Sequence, residues 1–192
     1  MKIVFATGNE HKLKEINAIS KNSGIEFVLP DDGFDPNENG TTFLENSLIK
    51  AQEAAKVSKC MSLADDSGLC VEALNGEPGV YSARYDETPQ KRIDKLLKNM
   101  QGKTNRNAKF VCAMSLVDEH GNIITQQVGE CHGEISETQF GTNGFGYDPI
   151  FVVNGRNKTM AELTEDEKNN ISHRSVALCK IIDYLRNENY LK

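Results

Sequence analysis

No run of the 192-residue sequence approaches the apolar length of a membrane-spanning helix, so a helical bilayer protein is not expected. The opening Met1-Lys2-Ile3-Val4-Phe5 turns polar too soon for a secretory signal and reads as a strand. Cys60, Cys70, Cys112, Cys131 and Cys179 are odd in number, scattered and without a C-x-x-C pair. That argues against a disulfide framework and against a structural zinc site, and for a reduced, cytoplasmic chain. Positive charge is short: 22 Lys and Arg against 28 Asp and Glu leave a net charge of −6, without the basic stripe that grips nucleic acid regardless of sequence. Neither nucleic acid nor membrane is an expected partner. A polyanionic small molecule is not excluded, because a metal and a few local cations neutralise phosphates. The Walker glycine loop and the G-x-S-x-G elbow are missing too, as are repeats and low-complexity segments.

What is present fits a globular protein of one good-sized domain or two lobes sharing a core: 38% of residues are hydrophobic and 26% charged. Residues 2–6 and 25–29 read as strands around a helix over 10–23, ended by Gly24. Thr42 and Glu45 have capping-box spacing ahead of a helix carrying Leu48, Ala51, Ala54 and Ala55. Short strands over 61–65 and 69–73 flank Asp65-Asp66-Ser67-Gly68, and Pro89 opens a helix reaching Met100. Residues 108–117 and 122–130 form a hairpin turning at Glu119-His120-Gly121. Pro149 to Val153 reads as a strand, and Thr164 with Glu167 caps a short helix. Ser172 caps the last helix, with Val176, Ile181, Ile182 and Leu185 as its buried stripe. The fold class is α/β: a mixed, elongated central sheet flanked by helices, in two lobes with a cleft for the active site.

Four segments carry more polar chemistry than a plain turn needs. In Thr7-Gly8-Asn9-Glu10-His11-Lys12 a glycine, a helix N-terminus and a lysine together could receive an anion; an ordinary strand-to-helix turn is the alternative. Adjacent Asp65 and Asp66 repel unless a cation or donors absorb their charge, and hard oxygen ligands suit Mg²⁺; the alternative is an acidic Asx turn. Glu38 and Glu45 would complete an acidic cluster if the fold brings them close. Gly141 to Pro149 sets three glycines around Phe145 and Tyr147, a backbone shaped for a flat ligand or for filling core. Lys168 with Ser172-His173-Arg174 offers donors for a carbonyl-rich ligand or forms solvated helix ends. His120, His132 and the Lys91, Arg92, Lys95, Lys98 face read as plain surface.

In order along the chain, these segments resemble the inosine triphosphate pyrophosphatase family of non-standard purine NTP hydrolases. The resemblance rests on Ala6-Thr7-Gly8-Asn9 with Lys12, Thr42-Phe43-Leu44-Glu45-Asn46, Ala64-Asp65-Asp66-Ser67-Gly68-Leu69, Pro78 to Tyr85, Gly144 to Phe151, Ala161-Glu162-Leu163, and Lys168 with Ser172-His173-Arg174. Asn143 departs from an expected glycine, which touches only the flexibility of its loop. The resemblance implies one two-lobed domain over residues 1–192, a homodimer, and cleavage of ITP, dITP or XTP between the α- and β-phosphates to the monophosphate and pyrophosphate. It implies that Thr7, Gly8, Asn9, Glu10, His11 and Lys12 handle phosphates and that Asp66 is the general base and a Mg²⁺ ligand, with Glu38 a second ligand. Ser67 contacts substrate, Phe145, Gly146, Tyr147 and Asp148 hold the base and sugar, and Lys168, His173 and Arg174 recognise the purine. Such donors pair with a 6-oxo group, whereas the amino group of adenine leaves them unsatisfied. Two rivals remain: a nucleotide-binding regulator without turnover, and an enzyme for another phosphoanhydride such as a modified pyrimidine triphosphate.

Overall fold

The structure is a computed structural model that describes residues 1–191, except for the His11 side chain. The strands are β1 (Lys2–Phe5), β2 (Glu26–Val28), β3 (Ser62–Val71), β4 (Asn107–Val117), β5 (Ile123–Ile135) and β6 (Phe151–Val153). The helices are α1 (Glu10–Ile19), α2 (Phe43–Ser58), α3 (Pro89–Asn99), α4 (Glu165–Asn169) and α5 (His173–Asn187). The strands form one sheet in the order β2-β1-β3-β4-β5-β6. β1 runs parallel to both β2 and β3, through α1 and α2 respectively, while β5 and β6 are antiparallel. The mixed α/β sheet flanked by helices is the fold class that the element pattern implies. No helix among the described residues is long and apolar enough to cross a membrane.

Local signals set most of these boundaries. Thr42 accepts the N–H of Glu45 while the Glu45 carboxylate receives the N–H of Thr42, so the capping box starts α2 as its spacing predicts. Thr88 caps α3 with Pro89 in its first turn. Asp118 and Asn122 close the β4–β5 turn, with Gly121 at φ 85°.

Tertiary pairing overrode the local pattern elsewhere. Asp65 to Gly68, expected to interrupt two short strands, lies inside the continuous strand β3. β3 is hydrogen-bonded to β1 on one side and β4 on the other, which outweighs the turn chemistry of Ser67 and Gly68. α1 ends at Ile19 instead of residue 23, β5 runs on to Ile135, and Asp148–Ile150 winds as a 3₁₀ turn ahead of β6. On α5 the buried stripe is Ala177, Leu178, Ile181, Ile182 and Leu185, with Val176 only half-buried.

The chain divides into two compact units. The first comprises Met1–Asp66, Cys112–Gly129 and the chain from His173 onward; the second comprises Ser67–Val111 and Glu130–Ser172. The first has a core on either side of its strands. Ile3, Phe5, Leu63 and Met114 pack with Ile16 of α1 and Leu178 of α5, while Val4, Ala6, Ala64 and Val117 pack with Ala51, Ala54 and Ala55 of α2. The second unit buries Leu69, Leu96, Phe110, Phe151 and Met160 in a core of its own.

Candidate active site

The geometry of the first unit's polar cluster follows from the pleat of β3. Successive residues of a strand point to opposite faces. Leu63 faces the α1/α5 core and Ala64 the α2 core, so Asp65 and Asp66 project to different helices. Two carboxylates that would repel in a turn are thereby sent to different helices and given different hydrogen-bonding partners.

Asp65 is buried, 1% exposed. Lys12 Nζ of α1 lies 3.1 Å from both of its oxygens. From α5, Arg174 donates through Nε at 3.3 Å and Nη2 at 3.0 Å to Oδ2, while its Nη1 donates to Glu15 Oε2 of α1 at 2.6 Å. Burial alone would push the Asp65 carboxyl up; Lys12, Arg174 and Lys50 outweigh it and hold it well below the usual carboxylate range. Asp65 is therefore a fixed anion, the core of a charge-paired brace between β3, α1 and α5.

Asp66 faces α2 and is half-buried. Asn46 Nδ2 donates to its Oδ2 at 3.2 Å, and Lys50 Nζ lies 3.5 Å from its Oδ1. The same ammonium lies 3.2 Å from Glu38 Oε2, so both expected metal ligands converge on one cation. Burial pushes the Asp66 carboxyl above its ordinary value; Lys50 and Asn46 oppose this without cancelling it, and Glu38 and Asp65 add to it. Burial likewise opposes the charge of Lys50, yet Asp65, Asp66 and Glu38 raise its pKa and keep it an ammonium. The neighbouring carboxylates have opposite tendencies: one is locked as an anion, the other has proton affinity to spare.

The donor set of Glu38 and Asp66 fits Mg²⁺, which takes one or two carboxylates and completes its octahedron with water and phosphate. No group of three or more His, Cys, Asp and Glu is placed to hold a metal among the described residues. Glu45 is spent on its capping box, receiving the Thr41 and Thr42 N–H groups and the Thr41 hydroxyl.

Residues 7–12 form the turn expected between β1 and α1. Thr7 Oγ1 accepts the Asn9 N–H at 3.1 Å, and Asn9 Oδ1 accepts the Lys12 N–H at 3.3 Å, so the segment caps α1. Gly8, Asn9 and Glu10 are exposed, Thr7 is buried, and the side chain of His11 falls outside the described residues.

The expected purine-binding residues fall into two sets with different partners. In the second unit Asp148 is buried, and its Oδ2 receives the Phe145 N–H at 2.9 Å and Lys168 Nζ at 2.9 Å. That ammonium also lies 4.7 Å from the centroid of the Phe145 ring, which is 44% exposed. Gly144 makes the arrangement possible: at φ 75° a Cβ would lie 2.1 Å from Asp148 Oδ2. Of the two aromatics only Phe145 presents a face; Tyr147 is core, with its hydroxyl donating to the Ser82 carbonyl at 2.9 Å. Ser67 is half-buried on β3, and Gly146 adopts φ 62°. Asn143 pins its loop, donating through Nδ2 to the Leu163 carbonyl at 3.0 Å. Arg174 and His173 belong to the first unit. Both are buried at the start of α5, and Arg174, assigned to the purine by the resemblance, pairs with Asp65 and Glu15. The buried anions on β3 and α1 claim the guanidinium.

Sequence reasoning passed over two residues of these clusters, Glu15 and Lys50, and gave Asn46 no role beyond its place in a matching stretch. A signal existed for Lys50. Asn46, Lys50 and Ala54 recur every fourth residue on the buried face of α2, so a lysine falls where an alanine would serve, and a charge on an apolar stripe needs anions opposite it. Glu15 carried no such mark.

Relatives of this architecture are well represented. A sequence model of the Ham1 family matches residues 3–184. Curated relatives named dITP/XTP pyrophosphatase include one from Escherichia coli, 45% identical over 197 residues and covering 97% of this chain and 98% of the relative. One from Nostoc is 43% identical over 180 residues, covering 94% and 92%. Among solved structures, a HAM1 protein from Coxiella burnetii superposes with a TM-score of 0.89 at 40% identity, covering 97% of this chain and 99% of that one. The Staphylococcus aureus Ham1 protein gives 0.87 at 40% identity over 98% and 100%. With the family pattern matched from β1 to α5 and the fold shared across almost the whole chain, the protein belongs to the Ham1 family.

Proposed function

We propose that this chain is a nucleoside-triphosphate pyrophosphatase that hydrolyses dITP, XTP and ITP to the monophosphate and pyrophosphate, keeping them out of DNA and RNA. The observation that carries the reading is the geometry on β3: Asp65 is paired with Lys12 and Arg174, while half-buried Asp66 lies beside Asn46, Lys50 and, through Lys50, Glu38. Phosphoanhydride hydrolysis asks the protein for little covalent chemistry. It needs charge neutralisation, an oriented water and a proton acceptor.

Asp66 is that acceptor. A water attacks at phosphorus, its proton passes to the Asp66 carboxylate, and the α–β phosphoanhydride bond breaks to leave pyrophosphate and the monophosphate. Lys50 steadies the carboxylates on either side of it, and Lys12, carried on the first turns of α1, brings positive charge to the segment assigned to phosphates. Mg²⁺, held by Glu38 and Asp66, would neutralise phosphate charge and polarise the phosphoryl oxygens. Ser67 contacts the substrate from β3. In the second unit the exposed Phe145 face suits a flat purine. Lys168, whose ammonium has three donors and spends one on Asp148, has donors for a 6-oxo group that adenine lacks. The reading has the enzyme working as a homodimer in the cytoplasm.

Pyrophosphate release from ITP, dITP, XTP, GTP, ATP and a modified pyrimidine triphosphate tests it, with Mg²⁺ and in excess EDTA. Release from ITP, dITP and XTP far above that from GTP, ATP and the pyrimidine, abolished by EDTA with circular dichroism unchanged, is expected. Binding without release would make the chain a nucleotide-sensing module, and preference for the pyrimidine would replace the substrate class.

A further inference from the structure

Asn46 lies on the first turns of α2 and is buried, 1% exposed. A buried carboxamide needs partners at both ends. Its Oδ1 accepts the backbone N–H of Gly40 at 2.8 Å, and its Nδ2 donates to Asp66 Oδ2 at 3.2 Å. The two contacts determine each other. A backbone N–H only donates, so the carbonyl end of the amide faces Gly40 and the NH₂ end is left to the carboxylate. Gly40 is suited to this approach: a Cβ there would lie 2.7 Å from Asn46 Oδ1. One helical turn further, Lys50 reaches the other carboxylate oxygen, Oδ1, at 3.5 Å.

We infer that Asn46 is a positioning residue for the reaction, setting the rotation of the Asp66 carboxylate so that a fixed lone pair meets the attacking water. The inference rests on the reading of Asp66 as proton acceptor. The terminal torsion of an aspartate is broad and roughly two-fold, so the strand alone does not fix it. Without Asn46 the Lys50 ammonium remains on this face of α2, and the carboxylate turns toward that charge. Asn46 opposes the rotation by holding Oδ2, and the Gly40 N–H braces Asn46 in turn.

The test is a double-mutant cycle on ITP hydrolysis with Mg²⁺ present, measuring kcat, KM and Tm for wild type, Asn46→Ala, Asn46→Asp, Asp66→Asn and Asn46→Ala combined with Asp66→Asn. Asn46→Asp keeps the size and the acceptor for Gly40 but loses the donor, and it carries the test where truncation unfolds the chain. Both single changes at Asn46 are expected to lower kcat about 10- to 100-fold, the scale of a reacting group misplaced by about an ångström. KM should stay within about threefold, because binding is not what is lost. In the Asp66→Asn background, removing Asn46 should cost nothing further. Wild-type kcat in a folded Asn46→Asp protein, or an equal loss from Asn46→Ala with and without Asp66, overturns the inference while leaving Asp66 as base. Wild-type turnover in Asp66→Asn instead removes the base reading, and this inference with it.

Discussion

At the scale of single residues, charge placement decides what each group does. Lys50 is the buried cation shared by Glu38 and Asp66. Lys50→Met keeps most of the volume and leaves the two carboxylates facing each other. We expect kcat to fall on the order of 10²-fold, the loss typical of one preorganised electrostatic group. Steady-state turnover of ITP by the folded variant checks this, and a loss below twofold would remove Lys50 from the chemistry. Lys168 has a different task. It reaches Asp148 and the Phe145 ring and is assigned to the purine, so Lys168→Ala should weaken 6-oxopurines by about 1–3 kcal/mol per lost hydrogen bond. ATP, which never used the donor, should be spared. Measured kcat/KM values for ITP, XTP, GTP and ATP that fall in parallel would place Lys168 with the phosphates.

At the scale of elements, the brace on Asp65 works only if α5 lies close against the sheet. Gly129 on β5 makes that approach possible. A Cβ there would come within 2.2 Å of the His173 carbonyl oxygen and 2.5 Å of the Ala177 nitrogen, both backbone atoms at the start of α5. Neither can rotate aside as a side-chain tip would. Gly129→Ala must therefore lift the first turn of α5, which carries Arg174. The expected cost is about 1–3 kcal/mol, the range for overpacking a filled interior. Thermal denaturation measures it; a variant melting with the wild type would mean that α5 slides freely on β5. α2 plays the corresponding part on the opposite face, where its capping box fixes the turn from which Asn46 and Lys50 project.

At the scale of the whole molecule, the buried ion pairs tie stability to pH. Asp65 is deprotonated far below the pH at which it would be in an unfolded chain, about 3.9. A carboxylate lowered in this way contributes its full stabilisation above that unfolded value, and the contribution drains away as pH falls toward the native one. Asp65→Asn strands Lys12 and leaves Arg174 with Glu15 alone, so it should cost about 3–5 kcal/mol at neutral pH. It should also flatten the decline in stability below about pH 4. Urea denaturation of both proteins from pH 7 to pH 2 follows the two effects together. Parallel pH curves would mean that other carboxylates govern the acid limb.

What the sequence determined by itself was the kind of fold and most of its punctuation. The alternation of apolar runs, the capping boxes at Thr42 and Thr164 and the proline opening α3 are local signals, and each lies where its spacing requires. The same locality made the strand-to-helix segment at residues 7–12 and the glycine-rich loop before β6 stand out as candidates. Tertiary structure alone decided the partners. Lys12 meets Asp65 across 53 residues of chain, and Arg174 meets it across 109. Nothing local records such distances, so the pairing of Arg174 with Asp65 and Glu15 became legible only once α5 packed beside β3. The Asp65-Asp66 pair shows the division most plainly. In sequence it is two like charges in a turn; paired into the sheet it is one strand step, and the pleat sends each carboxylate to a different helix. The amino-acid order put the charges side by side, and only the sheet could set them apart.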